Sequence, residues 1–129
     1  MRTIKFKGKN LDGEWIYGFY VEEERQTLNG FEKKYFIVND GYDYVKPETV
    51  GQFTGLVDMN GNEIYEGDIV KTNNGVGFVR YNDKQWYYEV AEVNEPLDNE
   101  CKLSEIPEED WEVLGNIHDN PEILKGGDL

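Results

Sequence analysis

Histidine, serine and cysteine occur once each in this 129-residue chain, as His118, Ser104 and Cys101. That scarcity removes most routes to catalysis. Ser104 lacks the flanking glycines of a nucleophile elbow and stands fourteen residues from His118, so no hydrolytic triad is expected. Cys101 lies near the acidic Glu100 and Glu105, whose charge disfavours a thiolate. One Cys and one His cannot close a zinc site, and a single cysteine forms no intramolecular disulfide. There is no signal-peptide pattern and no apolar run long enough for a bilayer, so a reducing cytoplasm is the expected compartment.

Bases are also scarce, with 13 Lys and Arg against 27 Asp and Glu, for a formal charge of −14. From Glu89 onward 13 acids face only Lys102 and Lys125, a net of −11, while the first 88 residues net −3. A nucleic-acid backbone usually calls for a basic face, so the overall balance argues against direct nucleic-acid binding. The one basic region, Arg2, Lys5, Lys7 and Lys9, reads as the solvated face of an amphipathic strand.

What the chain has in plenty is turn chemistry and aromatic side chains. Asn60-Gly61 and Asn74-Gly75 separate short runs rich in Val, Ile, Phe, Thr and Tyr, and Asn-Gly suits tight hairpin turns. Between them Gly67 and Asp68 predict a tight entry into the next strand, with the Asp68 carboxylate on nearby backbone N–H groups. These six residues are read as structural. The stretch 49–79 is therefore a meander of antiparallel strands, and the whole chain reads as all-β. Asp58, Asn60 and Asn62 resemble the start of a calcium loop, but its required glycine and final Glu are replaced by Glu63 and Ile69. The match fails. Gly75-Val76-Gly77 lacks the Lys-Ser/Thr ending of a phosphate loop. No catalytic residue, metal site or cofactor is expected.

Upstream, Arg2 to Lys7 alternates as a strand, Asp12-Gly13 turns, and Trp15 to Val21 returns, giving an N-terminal hairpin. Glu22 to Arg25 breaks the apolar pattern and predicts an interruption before Tyr35 to Val38 and Tyr42 to Val45. Pro47 ends that segment. Downstream, Trp86 to Val93 forms a strand on which Tyr87 is the outward aromatic. A polar loop follows from Glu92 to Glu100, then a single helical turn at 103–106 and a closing strand from Trp111 to Ile117. Asn120 before Pro121 predicts a helix start capped by the Asn120 side chain, and that helix lasts about one turn.

VGQFTGLVDMNGNEIYEGDIV, with WEVLGNIHDNPEIL and the opening RTIKFKGKNLDGEWIYG, resembles the YopX family of phage and prophage proteins. The likeness spans most of the chain and is weakest from Glu24 to Lys46. It implies a small SH3-like barrel at 49–120, preceded by a β-hairpin and arm at 1–48 and followed by a very short C-terminal helix and tail at 121–129. The three segments would form one unit in a bacterial host cell. It implies no activity and supplies no catalytic residues. EGDIVKTNNGVGFV is also similar to KOW-type barrels, which contact RNA or ribosomal proteins. That likeness rests on a turn pattern many small barrels share.

The expected function is a non-enzymatic protein-binding module that engages a basic host or phage protein. Its candidate contact residues are Tyr87, Glu92, Glu95, Asp98, Glu100, Glu108, Glu109 and Asp110, whose charge would steer such a partner. The alternatives are a structural homo-oligomer built from aromatic surface and sheet edges, or a nucleic-acid-binding KOW-like barrel.

Overall fold

A computed structural model describes residues 5–72, 75–82, 87–92, 100–102, 107 and 110–123, with backbone alone at 82, 87–92 and 100–102. The protein is all-β. The chain divides into two compact units, Met1–Phe53 and Thr54–Leu129, with the division inside one strand.

In the first unit, β1 (Phe6–Lys9), β2 (Trp15–Thr27), β3 (Gly30–Val38) and β4 (Tyr42–Tyr44) form an antiparallel sheet in the order β4-β3-β2-β1, continued by β5 (Gly51–Val57). The β1–β2 turn is held by Asn10, whose Oδ1 accepts from Asp12 N–H at 3.0 Å and Glu14 N–H at 2.9 Å. Glu22 to Arg25 does not interrupt the strand, contrary to the expectation from its apolar pattern. It continues β2, with Glu23 opposite Lys34, Glu24 opposite Lys33 and Arg25 opposite Glu32. Opposite charges placed directly across a ladder favour pairing where apolar burial is missing. Leu28 and Asn29 make the two-residue turn that ends this long hairpin. At Gly18 the strands approach so closely that a Cβ would lie within 2.3 Å of the Val38 carbonyl oxygen. Pro47 opens a single 3-10 turn, Pro47–Thr49. The buried Thr49 hydroxyl there accepts from Lys9 N–H at 2.8 Å and donates to the Lys46 carbonyl at 2.6 Å. Phe36, Ile37, Val45 and Phe53 are the unit's buried apolar residues.

The second unit contains β6 (Glu63–Tyr65), which follows β5 in the first sheet's order, and a second sheet. The latter comprises β7 (Asp68–Thr72), β8 (Gly75–Asn82), β9 (Tyr87–Glu92), β10 (Glu100–Lys102) and β11 (Glu112–Asn116), ordered β10-β9-β8-β7-β11. Ile64, Val70, Val79 and Trp111 form its core, with Leu56 and Val113 at the border. Among the described residues neither sheet closes into a barrel. β6 and β7 are neighbours in sequence yet belong to different sheets, so the Glu66-Gly67 link is a corner and not a hairpin. β11 lies at a sheet edge beside β7, and its register shifts between Val113 and Gly115, which breaks the strict alternation expected there.

Ile123 N–H donates to the Asn120 carbonyl at 3.1 Å, and Glu122 and Ile123 begin a helical turn. The expected side-chain cap is not made among these residues. The Asn120 Oδ1 turns back and accepts from Asn116 N–H at 3.4 Å, in the space that a side chain at Gly115 would need. The helical turn expected at 103–106 lies outside the described residues. No helix among the described residues is long and apolar enough to cross a membrane.

Candidate functional site

Among the buried polar residues of the second unit, Asp58 is fully buried and takes the most donors. Its Oδ1 accepts from Asn60 N–H at 2.9 Å and Asn62 N–H at 2.8 Å, closing the loop between β5 and β6. Its Oδ2 accepts from the Asn62 side-chain amide at 3.3 Å and from Val113 N–H at 2.9 Å, 55 residues along the chain. Burial alone would push this carboxyl up. The donors from Val113, Asn62 and Asn60 outweigh it and hold the group below its ordinary 3.8. Gly61 adopts φ +81° at the loop's tip. Trp111 reinforces the join: its indole N–H donates to the Val57 carbonyl at 2.9 Å, and its carbonyl accepts from Met59 N–H at 3.2 Å. The carboxylate that resembles a calcium ligand in sequence is thus committed to protein donors.

A second carboxylate shapes the β6–β7 corner. Asp68, only 2% exposed, accepts from Tyr65 N–H at 2.8 Å through Oδ2. Gly67 takes φ +94°, a conformation that L side chains rarely adopt. Its N–H donates to the Val79 carbonyl at 2.8 Å, and its own carbonyl accepts from Ile117 N–H at 2.9 Å. Asn116, at the end of β11, holds the following turn through Oδ1, which accepts from His118 N–H at 3.0 Å and Asp119 N–H at 2.9 Å. Gly75 opens β8 at φ +134°, with Thr72 opposite it. Asn74 lies outside the described residues.

The expected contact residues are spread over β9, β10 and the segment before β11. Tyr87 stands opposite Asn82, Glu92 opposite Gly77, and Glu100 opposite Ala91. Asp110 is half-buried, and its N–H donates to the Pro107 carbonyl at 2.9 Å. Glu95, Asp98, Glu108 and Glu109 lie outside the described residues. No cluster of three metal-ligating side chains occurs among the described residues.

Sequence reasoning missed a surface on the first unit. Directly opposed residues of an antiparallel pair share a face. Lys7 is opposite Tyr17 and Lys9 opposite Trp15, while Phe19, Val38 and Tyr42 form one row across three strands and Val21, Phe36 and Tyr44 the next. On this face Phe19 is 63% exposed, Tyr42 65%, Tyr17 48% and Tyr44 45%. Tyr42 and Tyr44 lean on the buried Phe36, with ring centroids 5.7 and 4.7 Å away. Lys7 and Lys9 hold their ammonium groups 4.7 and 5.5 Å from the Trp15 ring, and Lys34 sits 5.8 Å from Tyr44. The signal was present in the odd-numbered positions of β1 and β2 and the even-numbered positions of β3 and β4. Alternation alone could not say which face was covered. The opposite face carries Tyr20, stacked on Tyr35 at 6.5 Å. Burial, with a hydrogen bond donated to Glu22, pushes Tyr20 up to about 12.

No curated protein matches the chain. The crystal structure of protein EF1440 from Enterococcus faecalis is similar in fold. Its TM-score is 0.53 at 22% identity, over 96% of this chain and 99% of that one. The family model described as YopX protein matches residues 3–125.

Proposed function

The chain belongs to the YopX family, and from that premise we propose a non-enzymatic phage or prophage accessory protein that binds a basic protein through its second unit in the host cytoplasm. One observation carries this reading. The second unit holds 18 acidic and 5 basic residues, a net of −13, whereas the first holds 9 and 8, a net of −1. Charge so concentrated creates a field that steers a cationic partner and disfavours an anionic one. The carboxylates of Asp58 and Asp68 serve the fold. The acids at 89–112 supply the field.

The test is capture of host proteins on the immobilised chain, repeated with a variant in which Glu92, Glu95, Asp98, Glu108 and Glu109 are changed to Lys. The partner should be lost between about 0.1 M and about 1 M salt, as the Debye length contracts from about 10 Å to about 3 Å. With the purified partner, the reversals should slow association more than they speed dissociation. A partner indifferent to both salt and reversals would overturn the reading.

A further inference from the structure

We propose that Asn29, at the tip of the β2–β3 hairpin, is a site of covalent self-modification, in which the Gly30 amide attacks its side chain and converts it to aspartate and isoaspartate. The inference is independent of the acidic-unit reading. Asparagine followed by glycine occurs at 29–30, 60–61 and 74–75, and Asn74 lies outside the described residues. Asn29 and Asn60 are both exposed and both lie in tight turns, so access to water does not separate them. What holds each turn closed does. The Asn60 N–H donates to Asp58 Oδ1 at 2.9 Å, and the Gly61 N–H, the group that would attack, donates to the Asp58 carbonyl at 3.0 Å. Asp58 is fully buried and also accepts from Val113, so opening this turn disturbs the unit's interior. Asn29 has no such anchor. Its N–H donates to the Thr27 hydroxyl at 3.3 Å, and that hydroxyl donates to the Gly30 carbonyl at 3.1 Å, both in exposed positions. β1 reaches only to Gly18 on β2, and β4 only to Phe36 on β3. Among the described residues, the strands from Glu22 to Lys34 therefore pair only with each other. A two-stranded ribbon is marginal in water, and its end opens far more readily than a core strand.

The chemistry needs only the opened turn and water. A solvent base removes the Gly30 amide proton, and the nitrogen bonds to the Asn29 Cγ. The tetrahedral adduct expels the side-chain nitrogen as ammonia and leaves a cyclic succinimide. Water then opens the ring at either carbonyl, giving aspartate or isoaspartate. The net change is amide and water to carboxylate and ammonium, with no oxidant or reductant. Glycine favours the attack because it carries no Cβ to obstruct the approach. Either product places a new negative charge at the tip. Isoaspartate also adds a methylene to the backbone, and a lengthened turn no longer suits the register that sets Thr27 opposite Gly30. The hairpin tip thus changes charge and register with the age of the molecule.

The test follows the full chain over weeks at neutral and mildly alkaline pH, with a parallel sample in concentrated urea. Peptides are mapped by mass spectrometry with electron-transfer fragmentation, which separates aspartate from isoaspartate. Each site's rate in the folded chain is divided by its rate in urea, which removes the effect of neighbouring residues. The quotient for Asn29 should exceed that for Asn60 by about tenfold or more, the ratio given by a difference of about 1.4 kcal/mol in opening free energy. The Asn29 rate should rise with pH, since the attacking nitrogen must lose its proton, and both products should form. Asn29→Gln should suppress the reaction at this position, because the longer side chain forms its imide far more slowly, and should leave the melting temperature unchanged. A smaller excess at Asn29, an intact Asn29 in the folded chain while the urea sample reacts, aspartate formed without isoaspartate, or equal reaction at Gln in the variant would each overturn the proposal.

Discussion

The two units solve the problem of polar residues in a small β-protein in opposite ways. The second unit buries carboxylates and turns them into fasteners: Asp58 takes four donors and Asp68 holds a corner. The first unit sets opposite charges facing one another across β2 and β3, pairs them along each strand as Glu23 with Arg25 and Glu32 with Lys34, and leaves aromatic rings in water. The contrast teaches that acidity has two unrelated meanings within one chain. Asp58 and Asp68 contribute to the formal charge of the second unit but lie inside it, while its outward character is set by the other acids. A single net charge conceals both the buried fasteners and the near-neutral first unit.

Substitution at Asp58 should break this contrast most severely. Asp58→Ala removes four hydrogen bonds to a buried carboxylate, and hydrogen bonds to charged groups contribute about 1.5–3 kcal/mol each. A loss of about 3 kcal/mol or more is expected in urea unfolding. The same carboxylate sets an acid limit. Its folded pKa lies below the ordinary 3.8, so its stabilisation is complete above that value. It is lost as pH falls through the lower folded value. The wild type should therefore soften in acid below about pH 4, and Asp58→Ala should show less of that fall.

Gly18→Ala is the corresponding break in the first unit. A Cβ there meets the Val38 carbonyl, which is backbone and cannot swing aside, and overpacking of this kind costs about 1–3 kcal/mol. A melting temperature equal to wild type would show that β2 and β3 separate more easily than their register suggests. Asp68→Ala should be milder, on the order of 1 kcal/mol, for loss of the Tyr65 bond. The smallest effect sharpens the comparison. Phe19→Ala and Tyr42→Ala should each change stability by less than about 0.5 kcal/mol, since exposed positions seldom matter more. A larger loss in thermal unfolding would mean that these rings are structural after all.

Sequence reading found what depends on neighbours in the chain. The Asn10 to Glu14 turn, the glycine at position 61 and the Gly67–Asp68 entry all follow from residues within five positions. What it missed depends on distant partners. Glu22 to Arg25 looked like a break because its counter-charges, Glu32 to Lys34, are supplied by the returning strand. Asp58 looked like part of a local turn because its fourth donor, Val113, is 55 residues away. The aromatic face was unreadable for a related reason: Trp15, Tyr17 and Phe19 alternate as a core strand would, and only the folded sheet shows Tyr17 and Phe19 left exposed beside the buried Phe36. The SH3-like barrel implied by family resemblance is not seen to close among the described residues, where the corner at Gly67 sends β6 and β7 into two sheets.

The Asp58 join also has a consequence in time. Its Oδ1 half closes a five-residue loop, a step available on the microsecond scale of hairpin formation. Its Oδ2 half must wait until β11 has travelled back along the chain, and such distant pairings form late because loop closure costs entropy before any contact rewards it. The Val113 contact should consequently be absent from the rate-limiting state. Val113→Ala keeps that N–H but removes the side chain that packs β11 on the core, so it would accelerate unfolding and leave the refolding rate nearly unchanged, a pattern readable from the two arms of a chevron plot. If refolding slowed instead, β11 would belong to the nucleus, and the chain would fold from its ends inward.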